Sequence, residues 1–422
     1  MEQPLYGNWR SPLIEALRGR LASGEPGAME DFWKHLETQG TPIIEPVPEG
    51  GGEVLLTLVW RQREETRNVV VVPGLHHGWQ PHCNQLQRLE GTDLWYRTYR
   101  VRDDLRTTYY LSPDDPLTSV AHMTPEEELA YFARRLKVWT PDPLNPRRFQ
   151  VNQGTPPLSV IELAAAPPQP WLEPRSGVAE GDVHAYGFSS ERLGDERTLW
   201  IYVPPSGPAP YAGGRQALIV LLDGGVYLKL GLPTLLDNLI ASGRIPPSVC
   251  VMVEQRDRNT ELPCNGRFSD FLALELVPWL RDELQWDAAP ERTVVAGSSY
   301  GGLAAVYTGL RHPACFGCVL SQSGSFWWAP EGASEHEWLT RQLVHQPLPP
   351  VRHYLEVGCL DAGPTPGNGP SVLVANRHLR DVLQARGQDV TYREFNGAHD
   401  YICWRGSLAD GLLALLGEDG AA

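Results

Sequence analysis

The pattern of hydrophobic and polar positions differs between the two parts of the chain. In the first part, short runs rich in β-branched and aromatic residues are separated by Gly and Pro. These runs lie at 53–60, 68–72, 94–101 and 107–111. Each run predicts a short strand, and strands at such intervals predict an immunoglobulin-like β-sandwich. Helices are expected before them, over 12–21 and 29–38.

Beyond Gly177 the pattern becomes an alternation of strands and helices. Ala217–Leu222 is a continuous apolar run, as expected for a strand that is buried on both faces. A long helix is expected over 268–284. Further strands are expected at 249–253, 293–296, 318–321, 352–357 and 390–395. Such alternation predicts an α/β domain built on a mostly parallel sheet.

Nine prolines cluster between residues 141 and 174, which indicates irregular structure and a linker. The sequence therefore predicts an N-terminal β-sandwich domain over 1–165, a linker over 166–176 and an α/β domain over 177–422. Within the first domain, Trp95, Arg97, Arg106, Tyr109 and Tyr110 either meet a flat anionic ligand or only cover the sheet.

Composition and charge narrow the possible partners. The 36 Lys and Arg against 51 Asp and Glu give a net charge of −15, which disfavours nucleic acid as a partner. The uncharged stretch at 293–310 contains four glycines, and we interpret it as strand, turn and helix rather than a membrane span. Charged residues interrupt every apolar run near the N-terminus, so no signal peptide is expected and the predicted compartment is the cytoplasm.

The seven cysteines are sparse and odd in number, so they do not form a disulfide scaffold. Cys315 and Cys318 form a single C-x-x-C, whereas a structural zinc site usually needs a second such pair or a pair of histidines. No metal site is predicted, and no organic or metal cofactor is expected.

The most specific local signal is the sequence GSSYG at 297–301, which has the G-x-S-x-G form of a nucleophile elbow. An apolar strand precedes it and an Ala- and Gly-rich helix follows, which is the context that the elbow requires. The predicted nucleophile is Ser299, while Ser298 should face away. The sequence therefore predicts an α/β-hydrolase fold for the second domain.

A serine nucleophile needs a base, and in hydrolases of this fold the chain order is Ser, acid, His. His399 follows the last predicted strand and is the candidate base. Asp361 follows the strand before it and is the candidate acid, in preference to Glu356 within that strand. The alternative is a Ser–His dyad without a buried acid.

The oxyanion of the reaction needs backbone donors. The amide of Tyr300 is expected at the N-terminus of the elbow helix. A second donor is expected in the loop after an earlier strand, where the sequence LLDGG at 221–225 points to the Gly225 amide. An ordinary strand-to-helix turn is the alternative for that loop.

Several motifs, taken in order, resemble the enterochelin (enterobactin) esterase family over nearly the whole chain. They are GTDLWYR at 91–97, Asp223-Gly224 after an apolar strand, Arg258-x-x-Glu261-Leu262-x-x-Asn265, GSSYGG at 297–302, SQSGSFWW at 321–328, and Gly397-x-His399-Asp400-x-x-Cys403-Trp404-Arg405. The resemblance implies a β-sandwich followed by an α/β-hydrolase domain. It also implies a cytosolic serine esterase that hydrolyses the trilactone of a ferric catecholate siderophore.

The resemblance assigns Ser299 as nucleophile, His399 as base and Asp361 as acid. Because such a ligand carries negative charge and flat rings, stacking and ion pairing should hold it. The candidate substrate-binding residues are Trp327, Trp328, Trp404, Arg258 and Arg405. The alternatives are core packing for the paired tryptophans, an ion pair of Arg258 with Glu261, and another ester substrate such as a carbohydrate acetyl or feruloyl ester. The sequence does not indicate the oligomeric state.

Overall fold

A computed structural model describes residues 9–47, 50–76, 78–205 and 216–417 of the chain. The chain divides into two compact units. The first is Met1–Pro167 with Ala362–Asn368 and Asn396–Ile402, and the second is the remainder. The sequence placed all of 177–422 in one domain, whereas the structure groups two loops of that range with the first unit. This assignment differs from the prediction because the two loops pack against residues that are distant from them in sequence.

The first unit contains two antiparallel sheets of four strands each, in the orders β1-β2-β5-β4 and β3-β6-β8-β7. The strands are β1 Ile43–Pro46, β2 Glu53–Arg61, β3 Val69–Val72, β4 Gln87–Arg88, β5 Leu94–Arg102, β6 Arg106–Pro113, β7 Arg148–Phe149 and β8 Leu158–Glu162. The helices are α1 Pro12–Ala22, α2 Ala28–Gln39 and α3 Pro125–Arg135. The strands and helices predicted for this part are present within one or two residues.

Helix α3 was not predicted, although its start carries a capping box. The Thr124 hydroxyl accepts a hydrogen bond from the Glu127 amide, and the Glu127 carboxylate accepts one from the Thr124 amide. Three consecutive glutamates follow in the first turn, where the helix dipole favours negative charge. Both signals are local, so the helix could have been predicted from the sequence.

The aromatic and basic residues of the first unit mainly cover its sheets. Tyr109 is fully buried and donates to the Asp142 carboxylate at 2.7 Å. The Arg106 guanidinium lies 2.7 Å from the Glu162 carboxylate, and Trp95 and Tyr110 are also buried. Of the two interpretations given above, sheet coverage is the one that these contacts support.

The second unit contains a sheet of eight strands in the order β16-β15-β14-β13-β11-β12-β10-β9. The strands are β9 Asp182–Ser190, β10 Asp195–Val203, β11 Ala217–Leu222, β12 Ser248–Val253, β13 Thr293–Ser298, β14 Cys318–Gln322, β15 Arg352–Gly358 and β16 Asp389–Phe395. Strands β11 to β16 all pair in parallel with one another in this sheet, whereas β9 and β10 run antiparallel to their neighbours. The predicted α/β domain with a mostly parallel sheet is confirmed.

Helices pack on this sheet and position the loops at its edge. They are α4 Gly224–Lys229, α5 Leu232–Ala241, α6 Arg258–Glu261, α7 Gly266–Phe271, α8 Val277–Leu284, α9 Tyr300–Arg311, α10 Trp338–His345, α11 Val372–Ala385 and α12 Tyr401–Leu416. A π-helical segment, Leu272–Leu276, joins α7 to α8, so the predicted helix over 268–284 is present. The uncharged stretch at 293–310 forms β13 and most of α9, as predicted. Within the described ranges, the length and hydropathy of each helix fall short of what a membrane crossing requires.

His353 in β15 gives the fold a pH dependence, because burial lowers the pKa of its imidazole to about 4. The unfolded chain takes up this proton below about pH 6.5, whereas the folded protein resists it. The contribution to stability is therefore present above pH 6.5 and is lost as pH falls toward 4. In the wild type, His353 should lower the free energy of unfolding by about 3 kcal/mol over this interval. We expect this decrease to be absent in His353→Leu, as measured by urea unfolding at pH 7 and pH 4.

The comparison between variant and wild type at each pH is essential, because Glu356 acts in the opposite sense. Burial raises the pKa of this carboxyl to about 7, so it favours the folded state as pH falls from 7 toward 4.5. An equal pH dependence in His353→Leu and wild type would contradict the prediction for His353.

Candidate active site

Ser299 occupies a strained turn between β13 and α9. Its backbone has φ 56° and ψ −122°, a region that a residue with a side chain rarely adopts. Such strain persists only where the surroundings enforce it, and it is concentrated at functional sites. The strand, the sharp turn and the helix together form the nucleophile elbow that the sequence predicts.

The tightness of the elbow explains the glycine at its start. A Cβ atom at Gly297 would lie 2.6 Å from the carbonyl carbon of Gly301, so no side chain fits there. The Ser299 amide donates to the Gln322 carbonyl at 2.9 Å, which fixes the turn to the end of β14. Ser298 faces away into the protein and is fully buried, as predicted.

Arg258 braces the elbow from the side. Its guanidinium makes two hydrogen bonds of 2.8 Å with the Asp223 carboxylate, and it also donates to the Ser298 carbonyl at 3.3 Å. The structural ion pair of Arg258 is therefore with Asp223, whereas Glu261 lies 3.2 Å from Arg197. The bidentate ion pair links the turn after β11 to the elbow. Its effect on a bound anion stays a prediction.

The loop after β14 contributes a residue that the sequence analysis missed. The Ser325 hydroxyl lies 3.2 Å from the Ser299 hydroxyl, and the Ser325 amide donates to the Ser299 carbonyl at 3.0 Å. The Asn376 side chain holds this loop through the Gly324 carbonyl at 2.8 Å. Ser325 lies within the motif SQSGSFWW, in which the sequence pattern directs attention to the paired tryptophans rather than to this serine.

Removal of the Ser325 hydroxyl should slow the reaction modestly. We expect Ser325→Ala to lower kcat about five-fold, because a net hydrogen bond of about 1 kcal/mol orients the nucleophile. Ser321→Ala is the matched control, since the Ser321 hydroxyl is buried and has no hydrogen-bond partner in the described part of the chain. Steady-state ester hydrolysis measures both, and a Ser325→Ala kcat equal to that of Ser321→Ala would contradict the prediction.

The two predicted oxyanion donors differ in their surroundings. Tyr300 is the first residue of α9, where helix amides favour a developing negative charge. The Gly225 amide instead donates to the Glu254 carboxylate at 3.1 Å. A Cβ atom at Gly225 would lie 2.5 Å from the same carboxylate oxygen. Gly225 can therefore serve as an oxyanion donor only after Glu254 moves away.

The candidate acid, Asp361, lies after β15 in a turn that is held by backbone hydrogen bonds. The Asp361 amide donates to the Gly358 carbonyl at 3.0 Å, and its carbonyl accepts from the Leu373 amide at 3.0 Å. Its side chain is largely buried. Because β13, β15 and β16 are parallel, their carboxyl ends share one edge of the sheet, where catalytic loops collect. The elbow and the Asp361 turn both leave from that edge.

The alternative acid, Glu356, is buried in the core and fully hydrogen-bonded there. Its carboxylate accepts hydrogen bonds from Gln322 at 2.7 Å, Ser407 at 2.5 Å and Tyr354 at 3.1 Å. Gln322 in turn accepts from Tyr227 at 2.6 Å. This buried network supports the end of β14 next to the elbow. Because the Glu356 carboxylate is engaged in it, Glu356 is a poorer candidate than Asp361 for the acid that orients His399.

The candidate base, His399, lies half-buried in the loop Asn396–Ile402, which belongs to the first unit. It interacts electrostatically with two acidic residues of that unit. Burial raises the pKa of Glu128 to about 7, and the Coulomb interaction with His399 opposes this shift. Burial likewise raises the pKa of Asp400, and the hydrogen bonds from Thr108 and the Coulomb interaction with His399 oppose that shift. Glu128, in α3, is an acidic neighbour that sequence reasoning missed.

Three other histidines that follow Ser299 in the chain have structural surroundings. His312 lies 2.9 Å from the Asp270 carboxylate, and His378 lies 2.8 Å from that of Glu337. His353 is buried inside β15. These placements favour His399 as the base by comparison.

The predicted ring-stacking residues are unequal in exposure. Trp404 is 2% exposed, and its indole nitrogen donates to the Ser323 hydroxyl at 3.3 Å. This burial does not favour stacking of Trp404 on a ligand, and its role in binding stays a prediction. Trp327 is also largely buried and packs against Tyr300 with 6.0 Å between ring centroids. Trp328 is only half-buried.

Arg405 is half-buried and donates to the Gln169 side chain at 3.3 Å. Within the described residues, no group of three or more His, Cys, Asp or Glu side chains is arranged to hold a metal ion. The seven cysteines are free thiols.

Two family models match this chain. A model described as an esterase matches residues 190–415, and one described as the N-terminal part of enterochelin esterase matches residues 55–172. Together they cover the core of both structural units.

Proteins similar along most of their length agree with these models. The iron(III) enterobactin esterase of Escherichia coli K12 is 33% identical over 81% of this chain and 83% of its own length. The iron(III) salmochelin esterase of Escherichia coli O6:H1 is 29% identical over 96% of this chain and 98% of its own length. The crystal structure of the ferric enterobactin esterase from Salmonella typhimurium has a TM-score of 0.71 and 29% identity, and covers 92% of this chain and 98% of that one.

Proposed function

The chain belongs to the enterochelin esterase family and is a carboxylic ester hydrolase, and from this premise we propose that it hydrolyses the trilactone ester bonds of a ferric catecholate siderophore. Cleavage of the lactone would weaken the hold on iron and aid its release inside the cell. The iron is part of the substrate in this reaction. The observation that carries the proposal is the strained backbone of Ser299 at the turn from β13 to α9.

The reaction follows from the chemistry of the candidate residues. The Ser299 hydroxyl attacks a lactone carbonyl while His399 takes its proton, and Asp361 holds the imidazole in the correct tautomer. The Tyr300 amide stabilises the oxyanion, joined by Gly225 once Glu254 has moved. His399 then returns the proton to the departing serine hydroxyl of the siderophore. Water hydrolyses the acyl-enzyme by the same route in reverse roles.

Recognition of a ferric tris-catecholate requires aromatic surface and positive charge. Trp328 is the least buried tryptophan of the candidate set, and Arg258 and Arg405 are the cationic candidates. Arg258 shares its charge with Asp223, so its share in binding is expected to be smaller than a lone cation would supply. We further infer that the two antiparallel sheets of the first unit form an immunoglobulin-like sandwich, and that the enzyme acts in the reducing cytoplasm, which suits its free thiols.

The test uses purified protein with ferric enterobactin, followed by chromatography of the products. We expect linear oligomers and monomers of 2,3-dihydroxybenzoylserine to appear at a rate that depends on the enzyme concentration. Methyl ferulate and an acetylated xylan serve as comparison substrates for the alternative ester classes. Faster hydrolysis of either comparison substrate at equal concentration would overturn the siderophore assignment while leaving the esterase chemistry intact.

A further inference from the structure

Asp400, next to the candidate base, is anchored to a strand that lies far away in sequence. Its Oδ2 atom accepts hydrogen bonds from the Thr108 amide at 2.7 Å and from the Thr108 hydroxyl at 2.5 Å. Its Oδ1 atom accepts from the Ile402 amide at 3.1 Å. Asp400 is buried, so these donors replace the water that an ionised carboxylate would otherwise require.

The first residue of the same strand, and Asp104 just before it, also hold the other end of the loop. The Arg106 amide donates to the Asn396 carbonyl at 3.1 Å, and the Asn396 side chain donates to the Asp104 carboxylate at 2.7 Å. The loop Asn396–Ile402 is therefore fixed at both ends by residues 104–108. All of these residues belong to the first unit.

Strand β6 provides a rigid support for this loop. It pairs with β3 on one side and with β8 on the other, and Thr108 itself lies opposite Val160 of β8. A carboxylate that accepts from both the amide and the hydroxyl of one strand residue has little freedom to rotate. His399 immediately precedes Asp400, so its backbone position follows from that of Asp400.

The rate of proton transfer depends steeply on the position of the base. A displacement of about 1 Å can cost about 10²-fold in rate. We propose that Thr108 and Asp400 are positioning residues, which fix the loop that carries His399 and so let β6 of the first unit set the rate of ester cleavage. The inference rests on the proposed function in that it takes His399 as the base.

Four threonine variants test this inference in the full-length protein. Thr108→Val removes the hydroxyl donor at nearly constant shape, and Thr108→Ser restores it. Thr107→Val is the matched control, because the neighbouring Thr107 hydroxyl is buried and has no partner among the described residues. Thr57→Val controls for loss of stability, since it breaks a buried hydroxyl pair of 2.9 Å with Thr98 elsewhere in the same unit.

We expect Thr108→Val to lower kcat by about 10- to 100-fold, with KM changed less than two-fold. The decrease should be similar for ferric enterobactin and p-nitrophenyl acetate, because the defect lies in the chemistry rather than in recognition. Thr108→Ser should recover most of the rate, and Thr107→Val and Thr57→Val should keep wild-type kcat. A Thr108→Val rate within two-fold of wild type, or a change confined to KM, would overturn the inference.

A second variant keeps the test decisive if Thr108→Val does not fold. In Asp400→Asn, an amide group replaces one of the two carboxylate oxygens. The new side chain therefore cannot accept hydrogen bonds from Thr108 and Ile402 at the same time. We expect the same selective loss of kcat, and a normal kcat would count against the proposal.

The small ester separates this inference from the substrate assignment. Wild-type protein that cleaves p-nitrophenyl acetate but leaves ferric enterobactin intact would refute the siderophore assignment, and the Thr108 series would still decide the role of the anchor. A His399→Ala variant with wild-type kcat would refute both the base and the inference.

Discussion

Ser299→Ala should abolish ester hydrolysis while the protein stays folded and still binds its ligand. Loss of a triad serine costs about 10⁶-fold in kcat, because the residues of a triad act as a unit. The fold should persist because, among the described residues, the Ser299 side chain makes no capping hydrogen bond to α9 and its substitution removes a single hydrogen bond, with the Ser325 hydroxyl. The measurements are kcat with ferric enterobactin, and binding of the intact ferric complex by quenching of tryptophan fluorescence.

Ser298→Ala is the matched control for this experiment. The two serines are adjacent, but the Ser298 hydroxyl is fully buried and no hydrogen-bond partner is found for it in the described part of the chain. Its removal should leave kcat within about two-fold of wild type and should not lower stability, because an unpaired buried hydroxyl is costly. Retention of more than a few per cent of activity in Ser299→Ala, or a comparable loss in Ser298→Ala, would refute the assignment of the nucleophile.

The features that the sequence predicts well are those determined by neighbouring residues. The apolar run of β13, the glycine that permits the tight turn and the small residues of α9 all lie within one short stretch, so the elbow follows from local sequence. The same holds for the alternation of strands and helices that predicts the parallel sheet. Helix α3 is an exception in which a local signal, the capping box at Thr124, was present but overlooked.

The features that the sequence does not reveal depend on residues far apart along the chain. Thr108 and Asp400 are separated by 292 positions, and nothing near either residue indicates the other. For the same reason the loop with His399 was assigned to the second domain, whereas the structure groups it with the first unit. The partner of Arg258 was also missed, because Asp223 is 35 positions away and Glu261 is only three.

Burial explains why the structure does not favour two of the candidate site residues. Trp404 follows a motif with a histidine and precedes an arginine, which suggests a ligand site, but it lies inside α12 and points to Ser323. A sequence motif cannot show which face of a helix is buried when apolar residues are spread around most of that helix. The Gly225 amide raises the same difficulty, since its acceptor Glu254 comes from the end of a different strand.

Asp361→Asn should lower kcat by about 10⁴-fold if Asp361 orients the imidazole, because the neutral side chain stabilises the wrong tautomer. The turn itself should survive, since its contacts with Gly358 and Leu373 use the backbone of Asp361. Circular dichroism and urea unfolding check that the fold is retained. The kcat for p-nitrophenyl acetate is the most direct measure, because this substrate makes few remote contacts.

Two further carboxyl variants decide which acid is coupled to the base. Glu356→Gln should change kcat far less than Asp361→Asn, because the Glu356 carboxylate is already occupied by Gln322, Ser407 and Tyr354. Glu128→Gln tests the acidic neighbour of His399 in α3, whose carboxyl is protonated more readily than usual because burial raises its pKa to about 7. A nearly normal rate in Asp361→Asn together with a large loss in Glu128→Gln would transfer the role of the acid to the first unit. Nearly normal rates in all three variants would establish a Ser–His dyad, in which the anchored loop alone orients the base.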